Sequence, residues 1–257
     1  MLCLSYKGEF APTLDFLIKA QKIRSAKSKM EAKIGRKKIS HVIYDLDGLL
    51  LDTESIHAKV NTELTARYGK IFSKEIKCKI TGRKSIDSAR AIVELLELPI
   101  TGEEYLKQRN AQTYKLFPQA LGMAGAMRLT QHLYQQKIPQ AVATSSSTQA
   151  FQLKTSNHQE WFRIFDRIVV GDDPAIKKGK PAPDIFLIVA RHLGVKPEQC
   201  LVFEDSQAGI EAAKAAGMSA IAVPDPDMDK TLFAKADLVL NSLVEFEPEL
   251  WELPAFR

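Results

Sequence analysis

Residues 39–48, Ile39-Ser40-His41-Val42-Ile43-Tyr44-Asp45-Leu46-Asp47-Gly48, decide how this chain is read. Ile39, His41, Val42, Ile43 and Tyr44 form a short run rich in β-branched residues, which predicts a buried strand. The run stops at Asp45-Leu46-Asp47-Gly48, a polar turn in which glycine permits a sharp change of direction. The pattern recurs downstream. Residues 138–143 end at Thr144-Ser145-Ser146-Ser147, residues 168–170 at Gly171-Asp172-Asp173, and residues 200–203 at Glu204-Asp205-Ser206. Two further apolar runs occupy residues 220–223 and 237–240.

Helical spacing fills the intervals between the later runs. Ala126, Leu129 and Leu133 form one set, Ile185, Ile188, Val189 and His192 another, and the alanine-rich stretch 208–216 stops at Gly217. Strands alternating with helices predict an α/β fold, a Rossmann-like parallel sheet with right-handed crossovers. Ligands bind such sheets beyond the carboxyl ends of the strands, so Asp45, Asp47, Thr144, Glu204 and Asp205 are expected along one rim. Residues 56–68 and 85–96 both read as helices with no strand between them. Residues 52–118 are therefore expected to be a helical cap inserted after the first strand, with residues 39–51 and 119–257 as the α/β core.

Composition bounds the remaining classes. With 257 residues, 45% hydrophobic and 26% charged, the chain has an ordinary globular make-up, not a disordered or collagen-like one. Cys3, Cys78 and Cys200 are far apart and form no C-x-x-C pair, so neither a disulfide framework nor a zinc site is expected. A reducing, cytoplasmic setting follows. No apolar run approaches the ~18 residues that span a bilayer, so no integral membrane segment is expected. The net charge of +5 concentrates near the start: nine Lys or Arg lie from Lys19 to Lys38 against one acid, Glu31. Residues 1–38 thus read as a basic extension, either solvated or able to touch RNA or an anionic surface. For the near-neutral core no nucleic-acid partner is expected.

The rim residues suggest phosphoryl chemistry. A carboxylate can attack phosphorus and form an aspartyl-phosphate; Asp45 is placed for this at a strand end. Asp47, two residues on, can give a proton to the leaving alkoxide and take one from water. The transferring group carries negative charge that must be neutralised. Mg²⁺ would do so, held by Asp45, Asp47 through its carbonyl, and Asp205, with Glu204 beside it holding a metal-bound water or a lysine. Lys180 lies in Gly179-Lys180-Pro181-Ala182-Pro183-Asp184, where glycine and prolines fix a loop before a helix. Thr144 and Ser145 can offer a hydroxyl and backbone N–H groups to phosphate. Taken singly these are a strand-end turn, a loop lysine and a serine-rich turn; their weight lies in their shared rim. In the insertion, His57 and the Arg83-Lys84 pair are substrate-facing candidates, or simply surface residues. No G-x-S-x-G elbow supports a serine hydrolase.

In order along the chain, Asp45-Leu46-Asp47-Gly48, the Thr144-Ser145 strand end, Lys180 and Glu204-Asp205 resemble the four motifs of the haloacid dehalogenase-like hydrolase superfamily. The resemblance covers residues 39–257. Residues 45–54 (DLDGLLLDTE), 153–162 (LKTSNHQEWF), 169–187, 201–218 and 248–256 (PELWELPAF) are similar to its eukaryotic group containing pseudouridine-5′-phosphatase and glycerol-3-phosphatase. The resemblance implies Asp45 as nucleophile, Asp47 as acid and base, Asp45, Asp47 and Asp205 as Mg²⁺ ligands, and Thr144, Ser145 and Lys180 as phosphate contacts. Asp47 argues for phosphoryl transfer over dehalogenation, which releases no alkoxide. The expected substrate is a small phosphate monoester, pseudouridine 5′-phosphate first, glycerol 3-phosphate or a sugar phosphate next. A β-phosphoglucomutase-like phosphotransferase stays open, as does a non-catalytic binding protein acting through its basic tail.

Overall fold

The computed structural model describes residues 38–80 and 85–256. The expected basic extension, apart from Lys38, and the Arg83-Lys84 pair lie outside the described residues. The first strand, β1 (His41–Tyr44), runs through the middle of a six-stranded parallel sheet. On one side it pairs with β4 (Gln140–Ala143), which pairs in turn with β5 (Arg167–Val169). On the other side lie β6 (Cys200–Glu204), β7 (Ser219–Ala222) and β8 (Leu238–Val239). The order β5-β4-β1-β6-β7-β8 realises the α/β architecture expected from the alternation. Val42 lies opposite Gln140 and Leu201, so the carboxyl ends of β4, β1 and β6 finish together.

Helices cover both faces, which is why the central strands read as unbroken apolar runs. On one face Ile43, Ala141 and Val202 meet α8 (Asp184–Leu193) through Ile185, Phe186 and Val189, and α9 (Gln207–Ala215) through Ile210 and Ala213. On the other, the Tyr44 ring stacks on Phe203 at 5.4 Å and meets Phe165 edge-on at 5.9 Å. Each such buried side chain stabilises the fold by about 1.5–3 kcal/mol. The buried Tyr44 hydroxyl donates to Gln140 Oε1 at 2.9 Å, and the Gln140 amide donates to the Thr130 carbonyl of α5 (Ala126–Gln135) at 3.0 Å. Beyond β4 the chain forms α6 (Thr148–Thr155) and the single turn α7 (Gln159–Phe162), whose Trp161 indole donates to Thr130 Oγ1.

Between β1 and α5 the chain makes a small antiparallel ribbon, β2 (Leu51–Asp52) with β3 (Leu121–Gly122). Among the described residues four α-helices lie between its two strands: α1 (Glu54–Ala66), α2 (Lys74–Ile80), α3 (Ser85–Leu96) and α4 (Gly102–Leu116). They enclose their own apolar core, with Val60, Leu64, Ile92, Leu98 and Tyr105 among its members. The predicted helices at 56–68 and 85–96 correspond to α1 and α3, while α2 and α4 have no counterpart in the periodicity. Helix α4 is mostly polar, so its apolar positions form no stripe; its visible signal is the capping box, in which Thr101 accepts from the Glu104 N–H and Glu104 from the Thr101 N–H. Two ion pairs join α2 to the loop after β7: Lys77 to Asp225 at 2.8 Å and Lys74 to Asp227 at 2.6 Å. Among the described residues no helix is long and apolar enough to cross a membrane.

Candidate active site

Asp45 follows β1 directly, its N–H donating to the Phe203 carbonyl of β6 at 3.0 Å, so the sheet itself fixes where this carboxylate emerges. Its Oδ2 accepts from the Asp47 N–H at 2.9 Å, and its Oδ1 from the Lys180 ammonium at 2.6 Å. Lys180, just before α8, also donates to Glu204 Oε1 at 2.5 Å and to the Ala143 carbonyl of β4 at 3.0 Å. One ammonium thus ties together the ends of three neighbouring strands. Burial alone would lower the Lys180 pKa, but the charges of Asp45 and Glu204 outweigh it and hold the pKa above its ordinary value.

Glu204 ends β6 with no exposure to solvent. Its second oxygen accepts from the Ser206 N–H and hydroxyl, at 3.0 and 2.9 Å, and Ser206 Oγ in turn caps α9 by accepting from the Gly209 N–H. The helix can approach this closely only because residue 209 is glycine: a Cβ there would lie 1.8 Å from Glu204 Oε1. Gly48 has the same kind of role, since it takes φ +75° and a Cβ there would lie 2.4 Å from Asp205 Oδ2.

Four carboxylates, Asp45, Asp47, Glu204 and Asp205, converge against two ammonium groups, so a negative excess remains. Burial pushes Asp45 up to about 7 against the pull of Lys180, with Glu204 and Asp47 adding repulsion. Burial and the charges of Glu204, Asp45 and Glu54 push Asp205 well above the ordinary carboxylate range. The carboxylate oxygens of Asp45, Glu204 and Asp205 lie within 4.8 Å of one another. Such an oxygen-rich, under-neutralised cluster fits a hard divalent cation. Both oxygens of Glu204 and both of Asp45 already accept protein hydrogen bonds, so Asp205 is the most available of the three carboxylates.

Asp47 stands apart electrostatically. Its Oδ1 accepts from Thr53 Oγ1 at 2.7 Å and the Lys154 ammonium at 2.6 Å, and its Oδ2 from Ser146 Oγ at 2.8 Å. Burial would raise its pKa, but the Lys154 charge and these hydrogen bonds prevail and hold it below the ordinary value. Lys154 is 4% exposed, with its ammonium 4.5 Å from the Phe117 ring centroid. The sequence reading assigned no role to Lys154, Thr53, Ser146 or Glu54. On α6 Lys154 lies four residues after the buried Ala150, which places its ammonium on a helix face turned inward, a placement that the helix packing and not the sequence reveals.

Asp45, Asp47, Glu54, Ser145, Lys180 and Asp205 all border one cavity of about 540 Å³. Thr144 is fully buried behind it, with Oγ1 accepting from the Ser146 N–H at 3.0 Å. His57 borders a smaller pocket of about 160 Å³ in the helical insertion and meets Phe117 edge-on. Burial and the charges of Arg109 and Lys154 push the His57 pKa down to about 4.

The profile of the family described as haloacid dehalogenase-like hydrolase matches residues 42–223. The chain belongs to that family. This hydrolase is 45% identical over 228 residues to (DL)-glycerol-3-phosphatase 1, mitochondrial, of Arabidopsis thaliana, with 87% of the chain and 76% of the relative covered. It is 44% identical over 223 residues to a Drosophila melanogaster protein named probable pseudouridine-5′-phosphatase, covering 86% and 96%. Among solved structures, a HAD family hydrolase from Deinococcus radiodurans R1 with bound phosphate and sodium superposes with a TM-score of 0.71. Their identity is 26%, covering 86% of this chain and all of that one. The protein is a phosphoric monoester hydrolase.

Proposed function

We propose that this hydrolase dephosphorylates a small phosphorylated metabolite through an aspartyl-phosphate on Asp45, with Mg²⁺ held by Asp45, Asp205 and the Asp47 carbonyl. The bridging of Asp45 and Glu204 by Lys180, beside the Asp205 carboxylate in one cavity, carries this reading. Bound there, Mg²⁺ would neutralise phosphoryl oxygens as the negatively charged nucleophile approaches. The protein's own groups do the rest. Lys180 fixes the direction of Asp45 and offers positive charge to the transferring group. Asp45 attacks phosphorus, and Asp47 protonates the departing alkoxide, for which it must first take up a proton against the Lys154 charge that holds it ionised at rest. Water then attacks the acyl-phosphate while Asp47, oriented by Thr53, Ser146 and Lys154, takes its proton. The proton gained in hydrolysis equals the one given to the next leaving group, so the cycle is neutral in Asp47.

Ser145 and the N–H groups of its turn are the proposed phosphate contacts, with Thr144 shaping that turn from behind. In this reading residues 52–118 act as a cap, reading the leaving group and excluding water. Pseudouridine 5′-phosphate is the first-choice substrate and glycerol 3-phosphate the second, matching the names of the relatives. A cytoplasmic location belongs to the same reading.

Phosphate release from a panel of phosphorylated nucleosides, polyols and sugars tests the proposal. Turnover should vanish with a chelator and return with added Mg²⁺. Undiminished turnover in chelator would overturn the metal assignment, and isomerised sugar phosphate as product would overturn hydrolysis.

A further inference from the structure

The 160 Å³ pocket in the insertion contains a cation that the mechanism above does not use. Arg109, from α4, borders it together with His57, Asn61, Ser85 and Ser88, and is 6% exposed. Its Nε makes no hydrogen bond, and its Nη2 reaches the Ser85 carbonyl only at 3.5 Å. Among the described residues no carboxylate lies within ion-pair distance of it, and the charge of Glu54 on the wall of the same pocket offsets its burial only in part. A guanidinium stays charged at any physiological pH, and burying a charge without a partner is costly. Natural cores avoid this unless a ligand supplies the missing charge.

The pocket adjoins the catalytic cavity through a shared wall residue. Glu54 borders both spaces. The charges of Arg109, Lys154 and Asp47 all act on His57, which lines this pocket. The pocket is smaller than the ~300 Å³ at which ligand sites usually begin, so it suits one end of a molecule whose phosphate occupies the larger cavity. The Asn61 side chain is already oriented by Tyr105, whose hydroxyl donates to its Oδ1 at 2.9 Å, leaving the amide N–H groups as further donors. Neutral His57 adds a ring N–H or an acceptor, according to tautomer.

We propose that this pocket is the leaving-group subsite. There Arg109 receives an anionic or carbonyl oxygen, selecting phosphate monoesters whose alcohol part carries a second strong acceptor. The inference rests on the phosphatase reading and narrows its substrate class: an imide carbonyl of a nucleobase or a carboxylate meets the requirement, and a leaving group with hydroxyls alone does not.

The test compares wild type and Arg109→Met on pseudouridine 5′-phosphate (imide carbonyls), 2-phosphoglycolate (carboxylate) and glycerol 3-phosphate (hydroxyls only). A lost charged hydrogen bond predicts that kcat/KM for one or both acceptor-bearing esters, relative to glycerol 3-phosphate, falls about 10- to 100-fold. The loss should sit mainly in KM, because the contact is remote from the reacting bond. Whichever ester suffers identifies the acceptor, and Arg109→Lys should restore part of the ratio. Thermal unfolding of Arg109→Met supplies the second readout: removing a buried cation that has no direct ion-pair partner should leave the melting temperature equal or higher. A wild-type enzyme that turns over glycerol 3-phosphate alone, an unchanged ratio in Arg109→Met, or a marked fall in its melting temperature each overturns the subsite. If wild type hydrolyses no ester, the phosphatase reading falls first and takes this inference with it.

Discussion

Replacing Gly209 by alanine sets two effects against each other. Alanine inside a helix is normally favoured over glycine by up to about 1 kcal/mol. Here the added Cβ would stand 1.8 Å from Glu204 Oε1 and 1.9 Å from its Cδ, so the carboxylate must move. It has nowhere inexpensive to go, being fully buried and held by Lys180, the Ser206 N–H and the Ser206 hydroxyl. Overpacking costs about 1–3 kcal/mol, and a lost charge-assisted bond to Lys180 adds about 1.5–3 kcal/mol. The clash therefore wins, with a net loss of about 1.5–5 kcal/mol. At ~2–4 °C per kcal/mol for a chain of this size, Gly209→Ala should melt roughly 3–20 °C below wild type. Turnover should fall about tenfold or more, because Lys180 loses one of its two carboxylates. Thermal unfolding followed by circular dichroism, beside a phosphate-release assay, measures both. Gly179→Ala, where a Cβ meets nothing within 4 Å, is the control for stability. A Gly209→Ala protein as stable and as active as wild type would refute the claim that α9 closes on Glu204.

Three further substitutions probe other parts of the site. Asp45→Asn keeps the shape but provides a poor nucleophile, so steady-state hydrolysis should drop to background while circular dichroism stays native; surviving activity would move the nucleophile elsewhere. Lys154→Met keeps the stem against Phe117 but removes the cation from Asp47. We expect about 1–3 kcal/mol lost in urea unfolding and kcat reduced about tenfold or more; wild-type kcat would show that Lys154 does not orient Asp47. For His57 the folded pKa, about 4, lies below the ordinary 6.5. The unfolded chain therefore takes up a proton first as pH falls. Stability should decline from about pH 6.5 toward 4 for this reason, and His57→Gln should lack that part of the slope. Identical slopes in denaturant titrations across that window would contradict the burial of neutral His57.

How much of this was readable in advance depended on whether each signal was local. Strands β1 and β6 declared themselves because helices cover both faces, so Val42-Ile43-Tyr44 and Leu201-Val202-Phe203 carry no polar interruption. Lys180 stood out through its glycine and prolines, although it is 135 residues from Asp45. Gln140 did not: it is a polar residue inside a buried strand, made tolerable only by Tyr44 and Thr130 from elsewhere in the fold. The same holds for α4, where only packing against α1 and α3 turns a polar segment into an enclosed one, and with it Arg109. Lys154 belongs to this class too, since its burial depends on Asp47 and Phe117, distant in sequence. Long-range partners decide the fate of isolated charges, and a single sequence does not display them.

The ion pairs that join α2 to the loop after β7 make ionic strength a control on substrate entry. Lys74 and Lys77 hold Asp227 and Asp225 across the mouth of the cleft at partly exposed positions, where each such contact contributes about 1 kcal/mol or less. Among the described residues the strand pairing that tethers the insertion is two residues long on each side, a pliable joint. Added electrolyte should loosen this clasp and at the same time screen the repulsion between the carboxylate-rich cleft and a negatively charged ester. The two influences act in the same direction, so the association rate should rise with ionic strength until the contacts that hold the phosphate are themselves screened.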